Sequence, residues 1–154
     1  MKSIILLFLF IAFATITTNA QNKVSVIGYG GSAFANSKVG FDFGLGVSYN
    51  VSKIFALSLS GEALSFKKQL NQEFKKVTLN AEFTPKHKSS TFLSSNIGTS
   101  VLSSNNISYI GLDIGLKLNQ KISEKLSGCL WVNTNFNKAL NGIIQSNICL
   151  KYRL

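Results

Sequence analysis

Charge is scarce in this chain. Only 14% of its residues are charged, against about 25% in an ordinary soluble domain, so a surface wholly immersed in water is not what the composition describes. Histidine occurs once and cysteine twice, and His87, Cys129 and Cys149 fall in different segments. That excludes the clustered nitrogen and sulfur ligands of a zinc site. Calcium held by carboxylates is opposed by the lysines that share their face. No metal and no cofactor is expected. His87 sits in the turn Pro85-Lys86-His87-Lys88 with no acid beside it, so the general base that most hydrolytic sites need is missing. No catalysis is expected.

Long apolar runs are also missing. The longest, residues 4–14, falls well short of the roughly 20 residues that a helix needs to cross a bilayer. Acids are few as well: six, against 16 lysines and arginines, for a formal charge of +10. A basic balance can mean nucleic acid, but Arg153 is the lone arginine and the lysines are scattered, whereas nucleic-acid surfaces cluster them in a groove or along a helix. No nucleic-acid partner is expected. A basic exterior suits anionic lipid headgroups instead.

What is present begins with a leader. Lys2, the apolar run, and the small-residue end Thr18-Asn19-Ala20 read as residues 1–20 of a cleaved secretory signal. Residues 21–154 then form one domain, of a size that holds one core or one barrel. With no cysteine near the cut, a lipid anchor at the new terminus is not available. Export leaves periplasm, outer membrane or medium.

Beyond residue 23 the apolar pattern has a period of two. In Val39-Gly40-Phe41-Asp42-Phe43-Gly44-Leu45-Gly46-Val47-Ser48-Tyr49 every odd position is large and apolar and every even one is Gly, Ser or Asp. Such a strand has one greasy face and one small, polar face. The rhythm recurs at 55–62, 76–83, 110–118 and 144–154. A workable set of strands is 23–35, 39–50, 54–66, 74–84, 90–101, 107–119, 124–136 and 143–154, each close to the length a tilted strand needs to span a bilayer. Turn-like residues separate them. The expectation is an all-β, up-and-down antiparallel transmembrane β-barrel of about eight strands. Both termini then lie on the periplasmic side, with the links at 36–38, 67–73, 102–106 and 137–142 facing outward.

In this register Asp42, Glu62, Glu82 and Asp113 share the non-greasy face with Lys76, Lys117, Lys151 and Arg153. A narrow barrel fills its bore with side chains that must satisfy one another, so these eight are the expected lumenal charge network. The soluble alternative, a β-sandwich with large residues packed inward, is opposed by the glycines assigned to the small face: Gly28, Gly30, Gly40, Gly44, Gly46, Gly111 and Gly115. Trp131 falls inward as a plug, while Tyr49 and Tyr152 fall outward near strand ends, suiting an interfacial belt. A hairpin folded about residue 139 makes Cys129 and Cys149 cross-strand neighbours on the inner face. In an oxidising compartment a disulfide there is one reading, and two packed thiols the other.

The leader, the Gly/Phe alternation at 39–49, the segment Ile110-Gly-Leu-Asp-Ile-Gly-Leu-Lys-Leu118 and the ending Ile148-Cys-Leu-Lys-Tyr-Arg-Leu154 resemble the small eight-stranded bacterial outer-membrane barrels, the porin-like and OmpA- or OmpX-like group. The resemblance implies a place in the outer membrane, lipid as a partner, and recognition of the C-terminal strand by the barrel-insertion machinery; Leu154 stands where the group commonly ends in an aromatic residue. It also implies a structural or surface-interaction role, with any protein partner meeting the rim. The alternatives are a small-solute channel and a soluble exported ligand-binding barrel.

Overall fold

The computed structural model describes residues 24–66, 73–85, 88–105 and 107–154. The leader at 1–20 and its cleavage point lie outside the described residues, as does His87. Eight antiparallel strands form one closed barrel in chain order: β1 (Val24–Ala35), β2 (Lys38–Asn50), β3 (Phe55–Ser65), β4 (Glu73–Phe83), β5 (Thr91–Ser104), β6 (Ile107–Lys121), β7 (Leu126–Asn137) and β8 (Ile143–Arg153). Closure comes from β1 pairing with β8, with Ser25 opposite Arg153 and Phe34 opposite Ile144. No edge strand is left with unpaired backbone groups.

Local sequence explains the tight ends. Ala35 pairs with Lys38, so Asn36 and Ser37 make a two-residue turn, and both have positive φ, 49° and 62°. That is the turn type whose twist matches antiparallel strands, and asparagine tolerates it. The β5–β6 link is equally short, because Ser104 pairs with Ile107; the strands run past the expected end at residue 101. At the β7–β8 link Asn141 and Gly142 take φ of 48° and 112°, the second a conformation in which a Cβ is strained. This end of the barrel is called the loop end below. The opposite end, carrying the 51–54, 84–90 and 122–125 links and Leu154, is the terminal end. There the Leu154 amide donates to the Val24 carbonyl at 3.0 Å.

The outer wall is apolar. Phe41, Phe43 and Leu45 on β2 are each more than 65% exposed, and Ile110, Leu112, Ile114, Leu116 and Leu118 on β6, with Ile144, Ile148 and Leu150 on β8, are exposed as well. A soluble monomer rarely shows contiguous apolar surface of more than a few hundred Å², and here it encircles the molecule. Phe55, Phe83 and Tyr152 punctuate this wall near the terminal end, and Phe34, Phe41 and Phe136 near the loop end.

One sequence expectation is corrected. Gly28 and Gly30 do not lie on the inner face: they pair with Leu45 and Phe43 on the outer wall, while Ile27 and Tyr29 point inward and are buried. The reason is that Gly28-Tyr29-Gly30-Gly31 has no apolar alternation to reveal its parity, so only pairing with β2 decides it. Tyr29 sits opposite Gly44, and its ring lies so close that a Cβ on Gly44 would come within 2.5 Å of it.

Candidate functional site

The bore is stacked in zones. At the loop end, Ala33, Ala35, Leu64, Phe66, Phe74, Leu102, Leu140 and Ile143 form an apolar cluster, with Tyr109 packed against it. These residues come from six strands and two links, and Phe66 and Phe74 meet edge to face with centroids 6.2 Å apart, a favoured aromatic geometry. The cluster crosses the bore and shuts this end.

Beneath it lies a polar zone centred on Lys76. Its ammonium is 2.7 Å from Glu62 Oε1 and 2.7 Å from Asp113 Oδ1, and it donates to Gln145 Oε1 at 2.9 Å. Glu62 and Lys76 are direct cross-strand partners on β3 and β4; Asp113 reaches them across the bore from β6. Amide side chains complete the carboxylates. Asn133 and Asn135 donate to the two oxygens of Asp113 at 2.8 and 2.7 Å. Gln145 Nε2 donates to Asp42 Oδ2 and to Glu62 Oε2, and Asn147 donates to Asp42 Oδ2 at 3.0 Å. Two carboxylates thus share one ammonium, and the third, Asp42, is held by amides. Such charges can be buried because each is hydrogen-bonded, and Glu62, Lys76 and Asp113 are ion-paired as well.

Tyr29 and Trp131 form the next zone, edge to face at 5.1 Å, beside the Cys129–Cys149 disulfide, whose Cα atoms are 5.0 Å apart. Trp131 donates its indole N–H to Asn96 Oδ1 at 3.1 Å. Lys117 lies 4.6 Å from the Trp131 ring centroid and 2.6 Å from Glu82 Oε2. Below this pair the bore widens into a vestibule of about 710 Å³ that opens at the terminal end.

Of the eight charged residues expected to line the bore, the structure brings Asp42, Glu62, Lys76 and Asp113 into one zone and Glu82 and Lys117 into a second, all buried. Lys151 is half-buried and donates to Ser48 Oγ at 3.4 Å. Arg153 keeps the inward register but stands exposed at the mouth, and among the described residues it makes no ion pair. The amides that bind the carboxylates were not singled out from sequence. The signal was available: Asn133, Asn135, Gln145 and Asn147 sit at the same parity as Trp131 and Cys149. The apolar cluster had no such signal, because Leu64, Phe74 and Leu102 interrupt the polar parity at strand ends. Among the described residues no group of acids, histidines and cysteines is arranged to hold a metal ion, and no helix is long and apolar enough to cross a membrane, which says nothing of strands.

No protein-family model matches the chain, and no curated protein matches its sequence. Solved structures do. The N-terminal β-barrel domain of Pseudomonas aeruginosa OprF superposes with a TM-score of 0.72 at 14% identity, covering 87% of this chain and 98% of that one. Neisserial surface protein A gives 0.68 at 10% identity, over 85% of this chain and 96% of that one. The attachment invasion locus protein Ail of Yersinia pestis gives 0.59 at 15% identity, over 86% and 99%. The chain therefore has the fold of the eight-stranded outer-membrane barrels, at identities that speak to fold alone.

Proposed function

We propose that the protein is an integral barrel of a bacterial outer membrane with a structural or surface-interaction role, exported behind a cleaved leader and performing no catalysis. One observation carries this reading: a continuous girdle of large, exposed apolar side chains surrounds a closed barrel whose buried charges point inward. In water that girdle would drive aggregation; in a bilayer it meets acyl chains, and closure leaves no unpaired backbone in the hydrocarbon. The near-total coverage of known outer-membrane barrels supports the same location. Lipid is then the constant partner, the insertion machinery acts on the C-terminal strand, and any protein partner meets the rim.

A soluble ligand-binding barrel would need its large apolar residues inside, and this chain has them outside. A solute channel would need a continuous aqueous path, and the cluster around Phe66, Leu102 and Ile143 obstructs one. The reading is tested on carbonate-washed membranes by comparing boiled and unboiled samples on a denaturing gel. A membrane-pelleted band that migrates differently only when unboiled is expected; a soluble band that never shifts would overturn the proposal.

A further inference from the structure

In the interior zones of the bore the carboxylates equal or outnumber the cations, three to one around Lys76 and one to one at Glu82 and Lys117; at the terminal end the balance reverses. The vestibule at the terminal end is lined by five cations, Lys53, Lys121, Lys125, Lys151 and Arg153, against only Glu82 and Glu124. Glu82 is already engaged by Lys117 at 2.6 Å, which leaves Glu124 alone on its turn.

The cations are not scattered around the ring. Lys121 pairs with Ser127, and Ser127 pairs with Lys151, so the three occupy one row across β6, β7 and β8. The next row outward joins Ser25 to Arg153 across β1 and β8, and the Arg153 amide donates to the Lys125 carbonyl at 2.8 Å. Neighbouring strands stand about 5 Å apart and residues i and i+2 about 7 Å, so the backbones of Lys121 and Lys151, two strands apart, are separated by about 10 Å, and those of Lys151 and Arg153 by about 7 Å. Like charges at such spacing repel one another. Two serines, Ser25 and Ser127, line the same wall and supply hydroxyl donors between the cations.

We propose that this wall of the terminal-end vestibule is a binding site for a phosphate-bearing anion, taken by Lys121, Lys151 and Arg153 with Ser25 and Ser127 completing the cradle. The ammonium and guanidinium groups give charge-assisted hydrogen bonds to phosphoryl oxygens. The spacing of two rows suits a ligand with more than one phosphoryl group. The apolar cluster shuts the far end, so the anion enters and leaves by the same mouth. The proposal depends on the barrel geometry and stands whichever membrane surface the mouth faces.

The test is a calorimetric titration of inorganic pyrophosphate into the folded, full-length barrel in zwitterionic detergent at fixed ionic strength. Saturable, single-site binding is expected, weakened at least about tenfold in the double variant Lys151→Gln/Arg153→Gln and in Lys121→Gln separately. The variant Lys38→Gln, at the opposite end, should bind like the wild type. Each variant is first required to keep its heat-dependent gel shift, and Lys121→Gln, exposed at the rim, keeps the test open if the double variant does not fold. Repeating the titration in phosphatidylcholine and phosphatidylglycerol nanodiscs separates the sources. Weaker apparent binding only with phosphatidylglycerol identifies a lipid headgroup as occupant; equal binding in both identifies a soluble ligand. Heats that never saturate, or an equal loss in Lys38→Gln, would overturn the proposal, because they describe diffuse screening of a basic rim.

Discussion

Three carboxylates to one ammonium, of which only two touch it, make the polar zone asymmetric at the level of single residues. Among the described residues Lys76 is the only cation that reaches Glu62 and Asp113, so Lys76→Met would strand two buried charges. Removing one partner of a buried pair costs about 3–5 kcal/mol, and reversible unfolding by denaturant in lipid vesicles should register a loss of that order. Asp42 behaves differently: among the described residues it has no ammonium partner, its Oδ1 lacks a hydrogen bond, and so does the oxygen of neighbouring Asn147. Asp42→Asn removes an uncompensated charge and adds a donor where acceptors go unserved, so the same assay should give a change of about 1 kcal/mol or less. Equal losses in both variants would show that charge imbalance is not what distinguishes these residues. A third substitution probes shape. Gly44→Ala places a methyl group against the Tyr29 ring; overpacking of this kind costs about 1–3 kcal/mol, and the fluorescence of Trp131, the sole tryptophan and the ring partner of Tyr29, should shift with it.

At the scale of strands and hairpins, legibility followed alternation. β2, β6 and β8 could be read almost residue by residue, because large apolar and small or polar residues alternate without a break, and a parity once known assigns every side chain to a face. β1 could be placed but not oriented, since its glycine run hides the parity that pairing with β2 supplies. The short links are legible in chemistry, through Asn36, Asn105 and Asn141 at positive φ, but strand ends shift by a few residues because backbone pairing continues past the last alternating side chain. The β7–β8 hairpin was placed most closely: the sum of positions that makes Cys129 and Cys149 neighbours is the observed register. That register brings the two sulfurs together, and the structure draws them as a bridge. Closing a loop of 20 residues restricts the unfolded chain by about 3 kcal/mol in the chain-entropy account. Reductant, or the pair Cys129→Ser/Cys149→Ser, should therefore lower the temperature of the heat-induced gel shift while leaving insertion and the shift itself intact. An unchanged transition temperature would mean that the bridge adds nothing to a hairpin already fixed by its neighbours.

For the whole molecule, the decisive property is that the bore has one open end. Alternation predicts a polar inner face for the full length of each strand, in a narrow bore filled by its own side chains with Trp131 as a plug, and gives no sign of an apolar level at one end. What closes it is a set of inward apolar residues gathered from distant segments: Ala33 and Ala35 on β1, Leu64 on β3 and Phe66 just beyond it, Phe74 on β4, Leu102 on β5, Leu140 and Ile143 around the last link. Leu64, Phe74 and Leu102 are exceptions to the polar parity of their strands, Phe66 and Leu140 lie on links, and only the closed topology brings them all to one level. The cluster also separates the ion-paired interior from the loop-end solvent, so loss of the cluster should have a functional signature beyond stability. The wild-type barrel in planar bilayers should pass no resolvable ionic current. In Phe66→Ala/Leu102→Ala the removed side chains leave a void at the level of the plug, and because Lys76 and its carboxylates lie directly beneath, water can enter from above. Discrete openings or a small steady conductance should then appear, provided the variant keeps its heat-dependent shift. Conductance in the wild type would favour the channel reading, and a silent double variant would place the barrier deeper, at the Lys76 and Tyr29–Trp131 zones, where side chains pack across the bore without the plug's help.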